Sequence, residues 1–114
     1  MENAKNFHLT ANQHKALQEI KETLKVRFDI KEFVLYGSVA REQAEEESDI
    51  DLLVVTSKSL NRFERHEITD AVFDVNLKYD TNFSTLVVDQ NAWETGFISV
   101  LPVRNEILKD GVRV

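Results

Sequence analysis

Two apolar runs of strand-forming residues, separated by a polar stretch, constrain what this chain can fold into. The first run, Phe33 to Tyr36, stops at Gly37, and the second begins with Asp49 and Asp51. Glycine allows a sharp turn or the close approach of a ligand. Aspartates two residues apart on a strand point to the same face, so their carboxylates lie side by side. The pattern predicts a strand, a turn, a short polar helix and a second strand.

The residues at this turn are suited to a phosphate and a metal ion. Ser38 can cap the helix that follows, and the free N–H groups at the start of a helix favour phosphate oxygens. The carboxylates of Asp49 and Asp51 repel each other unless a cation, a proton or water compensates their charge. Mg²⁺ is the natural candidate because it binds through one or two carboxylates plus substrate phosphates. A Gly-Ser pair alone is typical of any turn, but the combination predicts a metal–nucleotide site.

The order and spacing of these residues resemble those of a known family. Gly37-Ser38, then ten residues that include Ala40-Arg41 and Ser48, then Asp49-Ile50-Asp51, resemble the minimal nucleotidyltransferase (MNT) family of the polymerase-beta-like superfamily. The resemblance covers nearly the whole chain. It implies a polymerase-beta-like nucleotidyltransferase fold, which is a small α+β domain with a mixed β-sheet packed with helices.

The resemblance also implies an activity and a set of site residues. Active members of the family transfer a nucleoside monophosphate from a Mg²⁺-bound triphosphate to an acceptor hydroxyl. By resemblance, Gly37 and Ser38 would hold the triphosphate, while Asp49 and Asp51 would hold the metal. Two interpretations of Arg41 stay open, because a cation in an acidic segment can contact a phosphate or pair with a neighbouring glutamate.

A third carboxylate is expected on a later strand in this family, where it completes a second metal site and helps to activate the hydroxyl. Alignment of the segment YDTNFSTLVVD by its strand pattern puts Asn82 at that position. An amide can coordinate a metal weakly but cannot act as a base. Asp80 is the alternative, because it would share the face of Asn82 if the strand starts early.

One helix is predicted before the first strand and another after the second strand. Thr10 and Gln13 form a capping pair before a helix that runs to about Val26. Ser57 to Ser59 supply turn and cap residues before a helix from about Leu60 to Tyr79. A third strand is expected at Phe83 to Val88, and Asp89 is expected to cap a short helix around Trp93. The residues expected on the buried faces of the two long helices are Leu17, Ile20, Leu24, Ile68, Val72, Val75 and Tyr79, with Phe63, Ala71 and Leu77 flanking the second stripe. Phe97, Ile98 and Leu101 are expected either to form a partner surface or to close the core.

Length, charge and composition limit the classes of protein that fit. The 114 residues predict a tail at 1–9 and one nucleotidyltransferase-like domain at 10–114. A net charge of −6 disfavours a nucleic-acid partner, and the lack of cysteine excludes a disulfide framework and a zinc–thiolate site. No apolar run approaches membrane-spanning length and the N-terminus is unlike a secretory signal, so a cytoplasmic protein is expected.

Two functions from different classes follow. The first is an enzyme that transfers a nucleotidyl group, expected to be AMP, from Mg²⁺-bound ATP to a hydroxyl of a partner. Small members of the family resemble the antitoxin of toxin–antitoxin pairs, which implies a helical HEPN-domain toxin as that partner. The alternative is a binding module that neutralises its partner by contact, because Asn82 replaces the base. An antibiotic-modifying enzyme fits less well, since the chain has no room for an additional acceptor-binding domain.

Overall fold

A five-stranded mixed sheet with helices on both faces frames the part of the chain that the structure, a computed structural model, describes: residues 2–3, 9–37 and 49–114. The strands are β1 (Glu2–Asn3), β2 (Ile30–Tyr36), β3 (Ile50–Thr56), β4 (Phe83–Asp89) and β5 (Val112–Arg113). The helices are α1 (Ala11–Arg27), α2 (Arg62–Tyr79), α3 (Gln90–Glu94), a 3-10 helix at Phe97–Val100, and α4 (Pro102–Asp110). This architecture confirms the α+β prediction.

The strands lie in the order β1-β5-β2-β3-β4. β2 is antiparallel to β3 and β5, whereas β3 is parallel to β4 and β1 is parallel to β5. The sheet is therefore mixed, as predicted. The short strand β1 lies within the segment that was predicted as a tail, while the polar helix predicted after Gly37 lies outside the described residues.

β3 is covered on both faces, as its uninterrupted apolar run predicts. Ile50, Leu52 and Val54 pack in the core cluster beneath α1 and α2. Leu53 and Val55 pack in the second cluster, on the opposite face, with residues of α3, the 3-10 helix and α4. Packing in these two clusters thus determines the face of the sheet to which each side chain of β3 points.

α1 begins as predicted. The Thr10 hydroxyl accepts from the backbone N–H of Gln13 at 3.1 Å, and the Gln13 side chain accepts from the N–H of Thr10 at 2.8 Å. The expected stripe of Leu17, Ile20 and Leu24 is buried. The histidines that the structure describes, His14 and His66, are exposed.

α2 begins at Arg62 rather than at Leu60, because the capping residue differs from the predicted one. Asn61 accepts from the N–H of Glu64 at 2.8 Å, and the Glu64 side chain accepts in return from the N–H of Asn61 at 3.1 Å. Ser57, one of the predicted caps, instead donates to Asp29 at 2.6 Å. The residues of α2 that are buried are Ile68, Val72 and Val75, whereas the predicted flanking residues Phe63 and Leu77 are 76% and 69% exposed.

The C-terminal part closes the second core cluster. Asp89 accepts from the N–H of Ala92 at 3.0 Å and caps α3, as predicted. Ile98 is buried in the core, whereas Leu101 is partly exposed. Ile98 therefore closes the core, and Leu101 lies at the surface. The side chain of Phe97 lies outside the described residues. In the described ranges, no helix is long and apolar enough to cross a membrane.

Glu19 links α1 to the end of α2. Its carboxylate accepts from Lys78 Nζ at 2.7 Å and from Tyr79 Oη at 3.0 Å. The hydrogen bond from Lys78, followed by that from Tyr79, holds the pKa of Glu19 below its ordinary value, and Glu19 raises the pKa of Lys78. The Glu19 contribution is present above the unfolded carboxyl pKa and is lost as pH falls through the lower folded pKa. The Lys78 contribution is lost only as pH rises through its raised folded pKa.

We predict that Glu19→Gln lowers the free energy of unfolding at pH 7, and that its difference from the wild type shrinks as pH falls below about 4, where the wild-type carboxyl also becomes neutral. Urea unfolding followed by circular dichroism over this pH range measures the difference. Glu67→Gln, the same change at an exposed position of α2, is the control and is expected to be close to neutral throughout. A pH-independent loss in Glu19→Gln would mean that Glu19 acts through packing rather than charge.

Candidate active site

The glycine turn and the aspartates meet at one end of the β2–β3 pair. Tyr36, the last residue of β2, is the antiparallel partner of Asp51, the second residue of β3. Directly opposed residues in such a pair place their side chains on the same face of the sheet. Gly37 follows Tyr36 at once and begins the turn. The structure therefore brings Gly37 and Asp51 together, as the sequence predicts.

Two features require a glycine at position 37: its backbone conformation and the close approach of Asp51. Its φ is +75°, in the left-handed region that residues with a side chain rarely adopt. A Cβ atom on Gly37 would also collide with Oδ2 of Asp51. The Gly37 backbone therefore lies directly against the Asp51 carboxylate, and no side chain fits at this position.

Asp49 and Asp51 flank Ile50, whose burial determines where the aspartate side chains point. Ile50 between them is fully buried beneath α1 and α2, so the aspartates point to the opposite face. Asp49 is exposed and Asp51 is half-buried. The carboxylates thus sit at the solvent-accessible end of the face on which Leu53 and Val55 pack, and a ligand can reach them without opening the core.

Tyr36, predicted only as the end of a strand, also belongs to this site because it lies opposite Asp51. Its phenol is half-buried, and burial raises the pKa of Tyr36 to about 12, with further contributions from the negative charges of Asp51 and Glu106. The phenol is neutral at neutral pH, as any tyrosine is, and the raised pKa extends this state to more alkaline pH. Its alternation with buried Val34 on β2 could have placed it on the aspartate face.

The position beside Asp51 on the neighbouring strand belongs to Ser84. β3 and β4 are parallel with Ile50 opposite Phe83 and Asp51 opposite Ser84. Asn82 lies before β4 with an exposed side chain, and its carbonyl accepts from the N–H of Ile50 at 2.9 Å. A carboxylate on β4 next to Asp51 would have to come from position 84, two residues after Asn82. A role for Asn82 itself stays a prediction.

Asp80 does not share a strand face with Asn82. α2 ends at Tyr79, and Asp80 is its C-cap, in the left-handed conformation at φ 55°. Since β4 begins only at Phe83, the early strand start that would have aligned the two residues does not occur. Asp80 is exposed in the turn between α2 and β4.

The described residues offer a partial set of metal ligands. Among residues 2–3, 9–37 and 49–114, no group of three His, Cys, Asp or Glu side chains is placed to hold a metal ion. Asp49 and Asp51 remain as two neighbouring carboxylates, which is the number that Mg²⁺ uses when substrate phosphates complete its shell. The donor set therefore fits a metal that is bound together with a nucleotide. Ser38 and Arg41 lie outside the described residues.

Comparison with known proteins gives a consistent family. The model of the "Polymerase beta, Nucleotidyltransferase" family matches residues 18–99, a span that includes Gly37, Asp49 and Asp51. A candidate protein adenylyltransferase of Methanocaldococcus jannaschii is 37% identical over 78 residues, which cover 64% of this chain and 52% of the relative. The chain thus spans about half the length of this curated relative.

Solved structures share the fold. A candidate minimal nucleotidyltransferase superimposes with a TM-score of 0.62 at 20% identity, over 94% of this chain and 98% of the other. A chain from the complex of a tri-AMPylated Shewanella oneidensis HEPN toxin with an MNT antitoxin superimposes with a TM-score of 0.50 at 17% identity, over 90% and 67%. The polymerase-beta-like fold is thereby confirmed. Because the family model covers most of the chain, including the glycine turn and both aspartates, this protein belongs to the polymerase beta nucleotidyltransferase family.

Proposed function

We propose that this chain transfers AMP from Mg²⁺-bound ATP to a hydroxyl group of a partner protein. The observation that carries the proposal is the contact geometry at Gly37, where a backbone turn without a side chain passes against the Asp51 carboxylate. A triphosphate held by that turn would lie beside the metal ligands. Family membership supports the reaction class, and the related adenylyltransferase supports AMP as the group transferred.

Each site residue has a role in this reaction. Asp49 and Asp51 would hold Mg²⁺, which neutralises charge on the phosphates and on the leaving group. Gly37 and Ser38 would position the triphosphate through backbone N–H groups, and Arg41 would contact a phosphate oxygen. Tyr36, neutral and opposite Asp51, adds no further negative charge beside the metal ligands.

The transfer itself is an in-line displacement at the α-phosphorus. The acceptor hydroxyl oxygen forms a bond to that phosphorus, the bond to the oxygen that bridges the α- and β-phosphates breaks, and pyrophosphate leaves. The hydroxyl proton must pass to a base or to solvent. Ser84, the residue beside Asp51 on β4, cannot accept it near neutral pH, so this chain transfers more slowly than one with a carboxylate there.

The partner we propose is a helical HEPN-domain toxin, with a tyrosine as the acceptor. One similar structure is a complex of an AMPylated HEPN toxin with an MNT antitoxin, and the present chain shares the fold of one chain of that complex. We place the reaction in the cytoplasm, where ATP is abundant. Nucleic acid is a poor acceptor, because the net charge of −6 disfavours its phosphate backbone.

A second function is favoured by the absence of a carboxylate at position 84. Ser84 faces the same side as Asp51 and supplies no base. The chain would then keep the nucleotidyltransferase fold, bind its partner and neutralise it by contact alone. The two functions differ in whether the aspartates are needed for neutralisation.

We predict that ATP with Mg²⁺ binds the purified protein and that Asp49→Ala/Asp51→Ala abolishes this binding, because the paired carboxylates hold the metal that joins ATP to the site. Calorimetric titration measures the affinity. Asp70→Ala/Asp74→Ala is the matched control, since it removes the same charge from an exposed face of α2 and should bind as the wild type does. Equal binding by both double variants would contradict the assignment of the metal ligands.

We predict that Asp51→Asn reduces AMP transfer to a co-expressed HEPN partner by at least about a hundredfold, as expected when a metal ligand of the transition state is lost. The gain of one AMP group in the intact mass of the partner measures transfer, and survival of cells that express the partner measures neutralisation. Loss of both shows an enzyme. Loss of transfer with unchanged neutralisation shows the contact module, and unchanged transfer refutes the role given to Asp51.

We predict that Ser84→Asp raises the rate of transfer by at least about tenfold, because a carboxylate beside Asp51 can act as a general base or a further metal ligand. Intact-mass kinetics with the same partner measure the rate. Ser59→Asp, at an exposed position after β3, controls for the added charge. A gain in Asn82→Asp without one in Ser84→Asp would show that the alignment from sequence, and not the strand register, identifies the third position.

A further inference from the structure

β4 is the open edge of the sheet. It stands last in the strand order, and among the described strands it pairs only with β3. Its central residues, 84 to 88, include no charged residue and no proline. Such a strand is a ready template for pairing with another chain, and proteins normally protect it with charges, prolines, bulges or a covering element. The central part of β4 therefore has neither of the first two protections, and the charged residue of the strand, Asp89, lies at its C-terminal end.

The register shows which peptide groups face outward. In a parallel pair, alternate residues of a strand direct both their N–H and their C=O to the same neighbour. Ile50 pairs with Phe83 and donates to the carbonyl of Asn82, which fixes this phase. Phe83, Thr85 and Val87 therefore direct their N–H and C=O groups away from β3, toward the open edge.

Side chains of α2 occupy part of that edge. Asn76 contacts Phe83 twice: Nδ2 donates to the carbonyl at 3.0 Å, and Oδ1 accepts from the N–H at 2.9 Å. The Thr81 hydroxyl donates to the same Oδ1 at 3.0 Å and holds the amide in place. Arg65 Nη1 donates to the carbonyl of Val87 at 2.8 Å. Asn76 thus reproduces the pair of hydrogen bonds that a neighbouring strand would make.

Between these two contacts, the residues that the structure describes leave part of the edge uncovered. A groove of about 240 Å³ lies there between α2 and β4, with Thr69, Phe73 and Thr85 among its walls. Phe73 is 59% exposed. Within the described ranges, protection of the edge therefore rests on Asn76 and Arg65, which bind the backbone at its two ends, and not on burial of the whole strand by α2.

We propose that Asn76 and Arg65 are plugs that prevent β4 from pairing with β4 of a second copy of this chain. A second copy fits because two β4 strands related by a twofold axis at Thr85 would be antiparallel, with Thr85 opposite Thr85 and Phe83 opposite Val87. Every hydrogen bond between Phe83 and Val87 would use a group of Phe83 that Asn76 already occupies. Only the pair at Thr85 stays available, and it is too short to hold two copies together.

The proposal predicts unequal effects for the two plugs. Asn76→Ala frees both peptide groups of Phe83, so pairing with Val87 becomes possible. Arg65→Ala frees only the carbonyl of Val87, whose partner Phe83 is still bonded to Asn76. We therefore expect self-association to increase in Asn76→Ala, to increase most in Arg65→Ala/Asn76→Ala, and to change little in Arg65→Ala.

Sedimentation velocity over a concentration series tests this order, with circular dichroism to verify the fold of each variant. The association of the wild type is the baseline, and Arg62→Ala/Asn105→Ala is the control, because both residues are exposed and match the plugs in type. The dissociation constant for self-association should fall at least about tenfold in the double plug variant, since several backbone hydrogen bonds become available. A natively folded double variant that sediments as the wild type does would overturn the proposal.

A third substitution separates edge pairing from general aggregation. Thr85→Pro removes an outward N–H that the β3–β4 ladder does not use, and proline is tolerated at such edge positions. Added to the double plug variant, it should return self-association to the wild-type level. Association that survives Thr85→Pro would show that the copies meet elsewhere and would refute pairing through β4.

A milder variant keeps the test decisive if Asn76→Ala does not fold. Asn76→Asp retains the acceptor for Phe83 N–H and for Thr81 but loses the donor to the Phe83 carbonyl, which becomes free to pair. It should self-associate more strongly than Asn105→Asp, which makes the same change at an exposed position of α4. Equal association of these two variants would also overturn the proposal.

Discussion

The antiparallel pairing of β2 with β3 is the constraint on which the site depends. It places Tyr36 opposite Asp51 and so brings the Gly37 backbone against a carboxylate that is distant in sequence. A slip of one residue would turn every side chain of β3 to the other face. Asp51 would then enter the core beneath α1 and α2, and Ile50 would leave it. Packing of the apolar residues in the two core clusters therefore fixes the register of β3. That register places Gly37 and Asp51 together.

The cost of burying charge explains why the chemistry sits at the end of β3. An unpaired carboxylate in an apolar interior is strongly unfavourable, and β3 is buried from Leu52 to Thr56. Aspartates are therefore confined to the start of the strand: Asp49, just before β3, is exposed and Asp51, its second residue, is half-buried. Tyr36 avoids the cost of burying a charge because its side chain is uncharged. Its phenol is half-buried near two carboxylates and adds no charge at neutral pH, and these surroundings raise the pKa of Tyr36 further, to about 12.

Local patterns were sufficient to predict much of this fold. The apolar runs predicted β2, β3 and β4, and the Thr10–Gln13 pair predicted the start of α1. The predicted start of α2 was wrong because the Asn61–Glu64 pair caps the helix, whereas Ser57 bonds to Asp29 instead. The neighbour of Asp51 on β4 could not be found from local pattern, since strand register is set by contacts between segments far apart in sequence. That is why Ser84, and not Asn82, stands beside Asp51.

Asn76 connects the open edge of the sheet to the candidate active site. Its side chain fixes Phe83 and Thr81, and its carbonyl accepts from the N–H of Thr81 at 3.0 Å, so it determines where β4 begins. The start of β4 in turn sets the hydrogen bond from Ile50 to Asn82 and places Ser84 next to Asp51. One side chain of α2 thus closes the edge and fixes the register beside the aspartates. Because both roles act through the same strand, a second chain that paired with β4 would have to displace the contacts that position this side of the site.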